Sequence, residues 1–454
     1  MPKKKTALTI EERLQQALVP AEEQPYEVPE NWVWVRLGAI AEIVTGGTPS
    51  KKHPEYYGGN FPFYKPSDLD QGRLTYDASE YLSEEGKKVS RIIPKNSTAV
   101  CCIGSIGKCG YLMCEGTTNQ QINSAIPKIN SLCLYYYLCT ENFVQNLLSM
   151  ASATTIAIVN KSKMESCAFP LPPLLEQQRI VERIEELFSK LDEAKERLQE
   201  VADSFAVRKV AILHKAFTGE LTQQWRLENG VSDESWEEKK FDDCIEKMQN
   251  ALSKRKGDEG NNIGVLRLAN LGEDDLVLDD LRYILLTEKE EKNYLLSKDD
   301  VIMIRVNGSK DNVARQIVIN TDEKLSFCDH IIRIKYNPNI VARYVMYFSK
   351  TNAYRKYVED NMVSSAGQNT ISRKGLASLV IPLPSIEEQH EIVRLIDDLL
   401  ARERKAQQAT EQALASIDLM KKSILARAFR GELGTNKASE ASALELLKQV
   451  LAES

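Results

Sequence analysis

The 454-residue chain contains no uncharged apolar run of about 18 residues, the length a helix needs to cross a bilayer, and its opening MPKKKTALTIEERLQQAL has no apolar signal region. Both absences point to a cytoplasmic protein. Nine cysteines are present without one CxxC pair, so neither a disulfide scaffold nor a metal site is expected. Cys101, Cys102, Cys109 and Cys114 crowd into AVCCIGSIGKCGYLMC, whose apolar flanks read as hairpin strands with the thiols as small core side chains. No GxGxxG follows a strand, and GSIGKCG (104–110) lacks the longer glycine spacing and the Ser/Thr of a phosphate-binding loop. Histidine is scarce: His53, His214, His330 and His390 are the only four, the last two read as helical, and no triad is suggested. No catalytic residue is therefore expected. A net charge of −6 argues against indiscriminate coating of nucleic acid, but allows a local basic surface.

What the sequence does have is a repeat. HKAFTGEL (214–221) returns as ARAFRGEL (426–433), and at the same 212-residue offset PLPPLLEQQRIV (170–181) falls on PLPSIEEQHEIV (382–393). Just upstream SATTIAIVNKSKM (152–164) meets SAGQNTISRKGL (365–376), and NWVWVRLGAIAEI (31–43) faintly matches SWEEKKFDDCIEK (235–247). Each half is thus a divergent head followed by a similar tail. The division is 1–28, an N-terminal extension; 29–169, the first head; 170–225, the first tail helix; 226–380, the second head; 381–434, the second tail helix; and 435–454, a C-terminal tail with a short amphipathic helix.

The tails read as helices of about 40 residues. Ile180, Ile184, Leu187, Leu191, Ala194, Leu198, Val201 and Phe205 alternate steps of four and three, a coiled-coil seam. The second seam, Ile392, Ile396, Leu399, Glu403, Ala406, Thr410, Ala413, Ile417, Met420 and Ile424, is weakened by Glu403 and Thr410. Gly219 and Gly431 stand where a helix-ending glycine belongs. Neither stripe can be buried alone, so each helix is the other's antiparallel partner. The heads show strand-like runs (STAVCCIG, CGYLMCEG, DVIMIRVNGS, ARQIVIN) and helical patches (YYYLCTENFVQNLLSM, VARYVMYFSKTNAYRKYVEDN). The expected fold class is α+β: two mixed, β-rich heads separated by two long antiparallel helices with a pseudo-two-fold repeat.

Residues 31–165 carry 13 basic and 11 acidic side chains, so any nucleic-acid signal lies in placement on loops. TGGTPSKKHPEYYGG (45–59) offers Thr48, Lys51 and Lys52; Tyr64 and Lys65 follow, and Ser105 and Lys108 occupy the next loop. Asn119 and Gln120 in TTNQQIN, and Gln368 and Asn369 in SSAGQNTISRK, have amides of the kind that pair with adenine. The second head supplies Arg267, Asn270, Arg305, Asn307, Ser309, Lys310 and Arg315, suited to guanine and phosphate. Solvated turns are the plainer reading of each loop taken singly.

The paired PLPPLLEQQRIV and PLPSIEEQHEIV, the AFTGEL and AFRGEL closures, and SATTI and SAGQNTI upstream resemble the specificity subunits of type I restriction-modification systems, over residues 29–434. The resemblance implies two target recognition domains reading a split, asymmetric double-stranded DNA sequence, with the helices as spacer. It implies no catalysis and no cofactor in this chain. Two modification subunits would bring S-adenosylmethionine for adenine methylation, and two restriction subunits would bring ATP and Mg. Phe217, Gly219, Glu220, Leu221, Phe429, Gly431, Glu432 and Leu433 are candidates for docking them. A coiled-coil scaffold with two protein-binding heads is the alternative.

Overall fold

The structure is a computed structural model that describes residues 9–152, 157–252 and 257–453. The SATTI motif, Ser152 apart, lies outside the described residues, as do the first eight residues of the N-terminal extension and Ser454. No helix is long and apolar enough to cross a membrane among the described residues. Two compact units divide the chain, residues 1–198 with 412–454 and residues 199–411. Both long helices, Leu174–Phe217 and Ile386–Ala428, pass through the division.

In the first unit the head is clasped at its ends by Val33–Arg36 pairing antiparallel with Ala168–Leu171. Between them an antiparallel four-stranded sheet runs in the order Ala41–Thr45, Ile122–Pro127, Thr98–Cys101, Cys109–Tyr111. A smaller sheet orders Glu80–Leu82, Tyr57–Tyr64 and Thr117–Thr118, the last pair parallel. The patch read as one helical run is two helices, Ser131–Leu138 and Glu141–Met150, because the Thr140 hydroxyl accepts from the Phe143 amide and caps a new start. Tyr137, Phe143, Phe169 and Phe429 fill the core, Tyr137 meeting Phe169 and Phe429 edge-on and Phe143 at a tilt. The N-terminal helix Ile10–Ala17 and the C-terminal helix Ala443–Ala452 join the same core through Ala17, Ala443, Leu447 and Leu451.

The second unit repeats this plan. Glu237–Lys240 pairs with Val380–Leu383, and the four-stranded order is Ile245–Asn250, Ile331–Tyr336, Val301–Ile304, Gln316–Val318. The smaller sheet is Arg282–Leu286, Asn261–Leu266, Leu325–Phe327, again with one parallel pair. Thr351 caps Asn352–Asn361 after Ala342–Phe348, as Thr140 does in the first head.

The repeated segment bolts each long helix to its head. Gln177, fully buried, accepts from the Asn130 amide at 3.0 Å and donates to the Pro172 carbonyl at 2.9 Å. Gln389 does the same with the Val341 amide at 2.8 Å and the Pro384 carbonyl at 3.0 Å. Beside them, buried Glu176 accepts from Trp32 Nε1 at 2.7 Å and Asn436 Nδ2 at 2.8 Å. Buried Glu388 accepts from the Thr222 hydroxyl at 2.6 Å and Arg226 Nη1 at 2.7 Å. Burial raises the Glu176 carboxyl above its ordinary range against the pull of its donors. The GEL exits therefore bring Thr222 and Thr435 onto the glutamate that starts the other helix. Gly219 and Gly431 make the turn at φ 81° and 75°, a left-handed conformation costly for residues with a Cβ.

Cross-helix pairs run antiparallel within each unit: Asp192 with Lys421 and Lys195 with Asp418 in the first, Arg208 with Glu403 in the second. Arg208 also lies over the Phe205 ring, so Glu403 answers a cation where the seam is polar. The seam differs from its expected positions: Val201, Ala406 and Met420 are exposed, while Leu400 and Leu425 are buried in place of Leu399 and Ile424. A 3.5-residue stripe drifts by about 20° per heptad on a straight helix, which moves the buried position one residue on.

Candidate nucleic-acid interface

Strand direction gathers the candidate loops at one end of each head. In the first, Thr45 pairs with Asn123, Cys101 with Ile122, Val100 with Cys109, and Tyr64 with Thr118. The loops holding Thr48, Lys51, Lys52, Lys65, Ser105, Lys108, Asn119 and Gln120 therefore share a rim. Backbone bonds tie them: Gly46 to the Ile122 carbonyl (2.9 Å), Gly47 to Thr118 (2.8 Å), Asn119 to Tyr64 (3.1 Å) and Cys102 to Gln121 (2.7 Å). A Cβ on Gly46 would stand 2.2 Å from the Asn119 carbonyl oxygen, so glycine is required for that approach. The Thr48 hydroxyl donates to Gln120 Oε1, joining two candidates directly. Lys51 and Lys52 are exposed with no ion pair among the described residues, whereas Lys65 pairs with Glu80 at 2.8 Å and Lys108 with Asp70 at 2.7 Å. Sequence reasoning missed Arg91, exposed and donating to the Thr45 carbonyl beside this loop.

The second head has matching ties. Cys328 donates to the Leu266 carbonyl (3.0 Å) as Asn119 does to Tyr64, and Arg305 donates to the His330 carbonyl (2.8 Å) as Cys102 does to Gln121. Arg267, Arg305, Asn307, Ser309, Lys310 and Gln368 lie on its rim, with Ser309, Lys310 and Gln368 exposed. Arg267 reaches Asp280 at 2.9 Å, and Lys310 reaches Glu359 at 3.7 Å. Gln368 and Asn369 belong to a hairpin turning at Ala366 and Gly367 and pairing with Val306–Asn307.

Several candidates are spent inside the fold. Tyr64 is fully buried, its hydroxyl 3.1 Å from the Tyr76 carbonyl, which it donates to. Asn270 is buried; its Oδ1 closes a turn on the Arg267 amide at 3.0 Å, as Asp68 does on the Lys65 amide at 2.7 Å. Asn119 and Asn369 are buried, the former bonded to Gln121 and the latter bracing the Gly308 carbonyl at 2.9 Å. Arg315 donates to the Leu271 carbonyl, and burial lowers its pKa. These five position the rim rather than present a free side chain to it. Phe429 is likewise fully buried against Tyr137 and Phe169, so this docking candidate is a core residue, and Phe217 is half-buried on Tyr344 and Phe348. Glu220 and Glu432 are exposed, and Leu221 and Leu433 half-buried. His330, read as helical, sits in a turn entering a strand.

All nine cysteines are free thiols, with Cys101 and Cys102 buried. Cys328, Asp329 and His330 put possible metal-ligand atoms within 4.8 Å of one another. The group stops at three consecutive residues of one turn, short of the four protein ligands of a closed structural zinc site.

A family model described as the type I restriction modification DNA specificity domain matches residues 29–202 and 233–413. The chain belongs to this family. The StySPI specificity subunit of Salmonella potsdam is 30% identical over 447 residues, 94% of this chain and 96% of that protein. The EcoKI specificity subunit of Escherichia coli K12 is 25% identical over 94% of this chain and 96% of its own. The HsdS subunit of Thermoanaerobacter tengcongensis has the same fold, with a TM-score of 0.63 at 19% identity over 90% of this chain and 99% of that structure. A structure from a study of type I restriction-modification assembly matches with a TM-score of 0.65, also at 19% identity. As a DNA specificity protein, the chain has the rims of its two heads as its candidate recognition surfaces. The scaffold alternative is not favoured.

Proposed function

We propose that this chain recognises a bipartite, asymmetric double-stranded DNA target for a type I restriction-modification complex, each head reading one half and the helices setting the unread gap. One observation carries the reading: two heads of one topology present different side chains at matched rim positions, as two readers of different half-sites would. Exposed Lys51 and Lys52 supply phosphate contacts, and rim amides and guanidiniums face base edges.

In this reading the chain is cytoplasmic, performs no chemistry and holds no cofactor. Two modification subunits carry S-adenosylmethionine, and two restriction subunits carry ATP and Mg. An apolar groove of about 700 Å³ in the second unit, lined by Val207, Val210, Phe217, Phe348, Val380 and Pro382, favours docking of a modification subunit near the AFTGEL exit. Its counterpart in the first unit is about 270 Å³ and holds Tyr26, stacked edge-on against Trp34 at 4.9 Å. Coexpression with the modification subunit, followed by single-molecule sequencing of host DNA, should reveal one split motif with a methylated adenine in each half. A complex that assembles and binds S-adenosylmethionine yet leaves no such motif would refute the proposal.

A further inference from the structure

The two heads can be superposed residue by residue from strand register alone. Tyr64 pairs with Thr118 and Leu266 with Phe327, so Asn119, Gln120 and Gln121 occupy the places of Cys328, Asp329 and His330. The backbone bonds from Asn119 to Tyr64 and from Cys328 to Leu266, and from Cys102 to Gln121 and Arg305 to His330, fix the same alignment independently. One strand over, Phe63 pairs with Glu80 and Val265 with Arg282, which sets Glu80 against Arg282 and Lys65 against Arg267.

At this shared place the two heads carry different chemistry. In the first, the Lys65–Glu80 ion pair closes the flank and the turn shows Gln120 to solvent. In the second, arginines at both flanking positions border a cleft of about 510 Å³, with Asp329 exposed and His330 half-exposed on its wall. The Nε atoms of Arg267 and Arg282 are buried with no hydrogen-bond acceptor among the described residues. Buried donors of this kind ordinarily find a partner, and both arginines line the cleft. Base edges match the residues of this slot: guanine O6 and N7 accept from arginine, the cytosine amine donates to a carboxylate, and a glutamine amide matches adenine.

Building on the proposed DNA reading, we propose that Gln120 with Gln121 in the first head, and Asp329 with His330 flanked by Arg267 and Arg282 in the second, are specificity-determining residues. The turn is the same structural slot in both heads, refilled with different side chains. Arg282, Asp329 and His330 are thereby drawn into recognition by register, with no sequence likeness to Glu80, Gln120 and Gln121.

The test uses the complex of the full chain with its modification subunit, and duplexes in which each base of the methylation-mapped motif is varied singly. Relative affinities are measured for the unaltered complex, Asp329→Ala, Arg282→Ala and Gln120→Ala. Asp329→Ala and Arg282→Ala should flatten discrimination roughly ten- to a hundredfold at positions of one half-site and leave the other half unchanged; Gln120→Ala should do the reverse. All three positions lie on the surface or at its edge, and circular dichroism of each variant checks folding. Unchanged discrimination, or equal flattening in both halves, overturns the assignment. Absence of any base preference in the unaltered complex instead overturns the DNA reading itself.

Discussion

The buried pair at the root of the second long helix gives the sharpest test of how a head is held. Glu388 is fully buried and Arg226 nearly so; the guanidinium also bonds the Gly219 carbonyl at 2.9 Å and Asp233 at 2.9 Å. Burial alone would lower the arginine pKa, and the two carboxylates more than offset it. Removing Arg226 leaves the buried Glu388 charge uncompensated, which costs about 3–5 kcal/mol, whereas removing Glu388 leaves Arg226 its pairing with Asp233. Arg226→Ala should therefore lower the urea midpoint of the second unit by roughly 1.5–2.5 M, taking an m-value of about 2 kcal/mol/M, and Glu388→Gln should lower it by less because Asp233 still partners the arginine. The double substitution Arg226→Leu with Glu388→Leu should cost much less than the sum, since two apolar groups leave no orphaned charge. Equal and additive losses, or single losses below about 1 kcal/mol, would show that the pair does not anchor the helix.

Further outcomes follow from the same geometry. Glu176 has neutral donors, and burial raises its pKa, so its contribution to stability is fully present below the ordinary carboxylate range and lost as pH rises through the raised value. Glu176→Gln removes that titration, and melting of both proteins at pH 4 and pH 8 should show the variant gaining on the parent at the higher pH; a constant difference would contradict the assignment. Gly431→Ala should destabilise more than Gly219→Ala, because its Cβ would lie 2.4 Å from Pro29 Cγ while that on Gly219 meets the Arg226 guanidinium at 3.3 Å. The left-handed turn alone costs each about 1–2 kcal/mol. Replacing Lys51 and Lys52 with alanine should weaken binding evenly across sequences and reduce the slope of log K on log salt by about 0.9 for each phosphate that the variant no longer neutralises. Burial pushes the Cys102 thiol up to about 12, so iodoacetamide at pH 8 should reach it only after unfolding.

The fold class was legible because its signals are local or periodic: the 212-residue repeat, the 3.5-residue stripes and the strand runs of each head. Glu176 and Gln177 belong to the repeat, but their partners Trp32, Asn130 and Asn436 lie far away along the chain, so their role as bolts needed the structure. The seam drifted where a strict heptad and a real helix part company, at Leu400 and Leu425. Polar residue type marked the rim loops, yet type cannot separate a reader from a brace: Asn119, Asn270 and Asn369 look like readers and serve as braces. The slot shared by Gln120 and Asp329 was invisible because NQQ and CDH have no letter in common, and only strand register and the matching backbone bonds align them.

That division between brace and reader has a consequence for how such a protein changes its target. Gln120 and Asp329 are exposed, and substitutions at exposed positions away from caps and buried networks usually shift stability by no more than about 0.5 kcal/mol. The turns beneath them are held by backbone bonds and by Asp68 and Asn270, whose oxygens close the same loop in both heads. The helices are bolted by Gln177 and Gln389 through backbone amides and carbonyls, independent of what the rim displays. Recognition chemistry can therefore be replaced in one head while the fold of both heads, and the attachment of each to its helix, stay fixed. Exchange of whole heads between relatives meets the same condition provided the bolt is kept: a grafted head must present an amide where Asn130 or Val341 stands, and a side-chain donor where Trp32 or Arg226 reaches the buried glutamate.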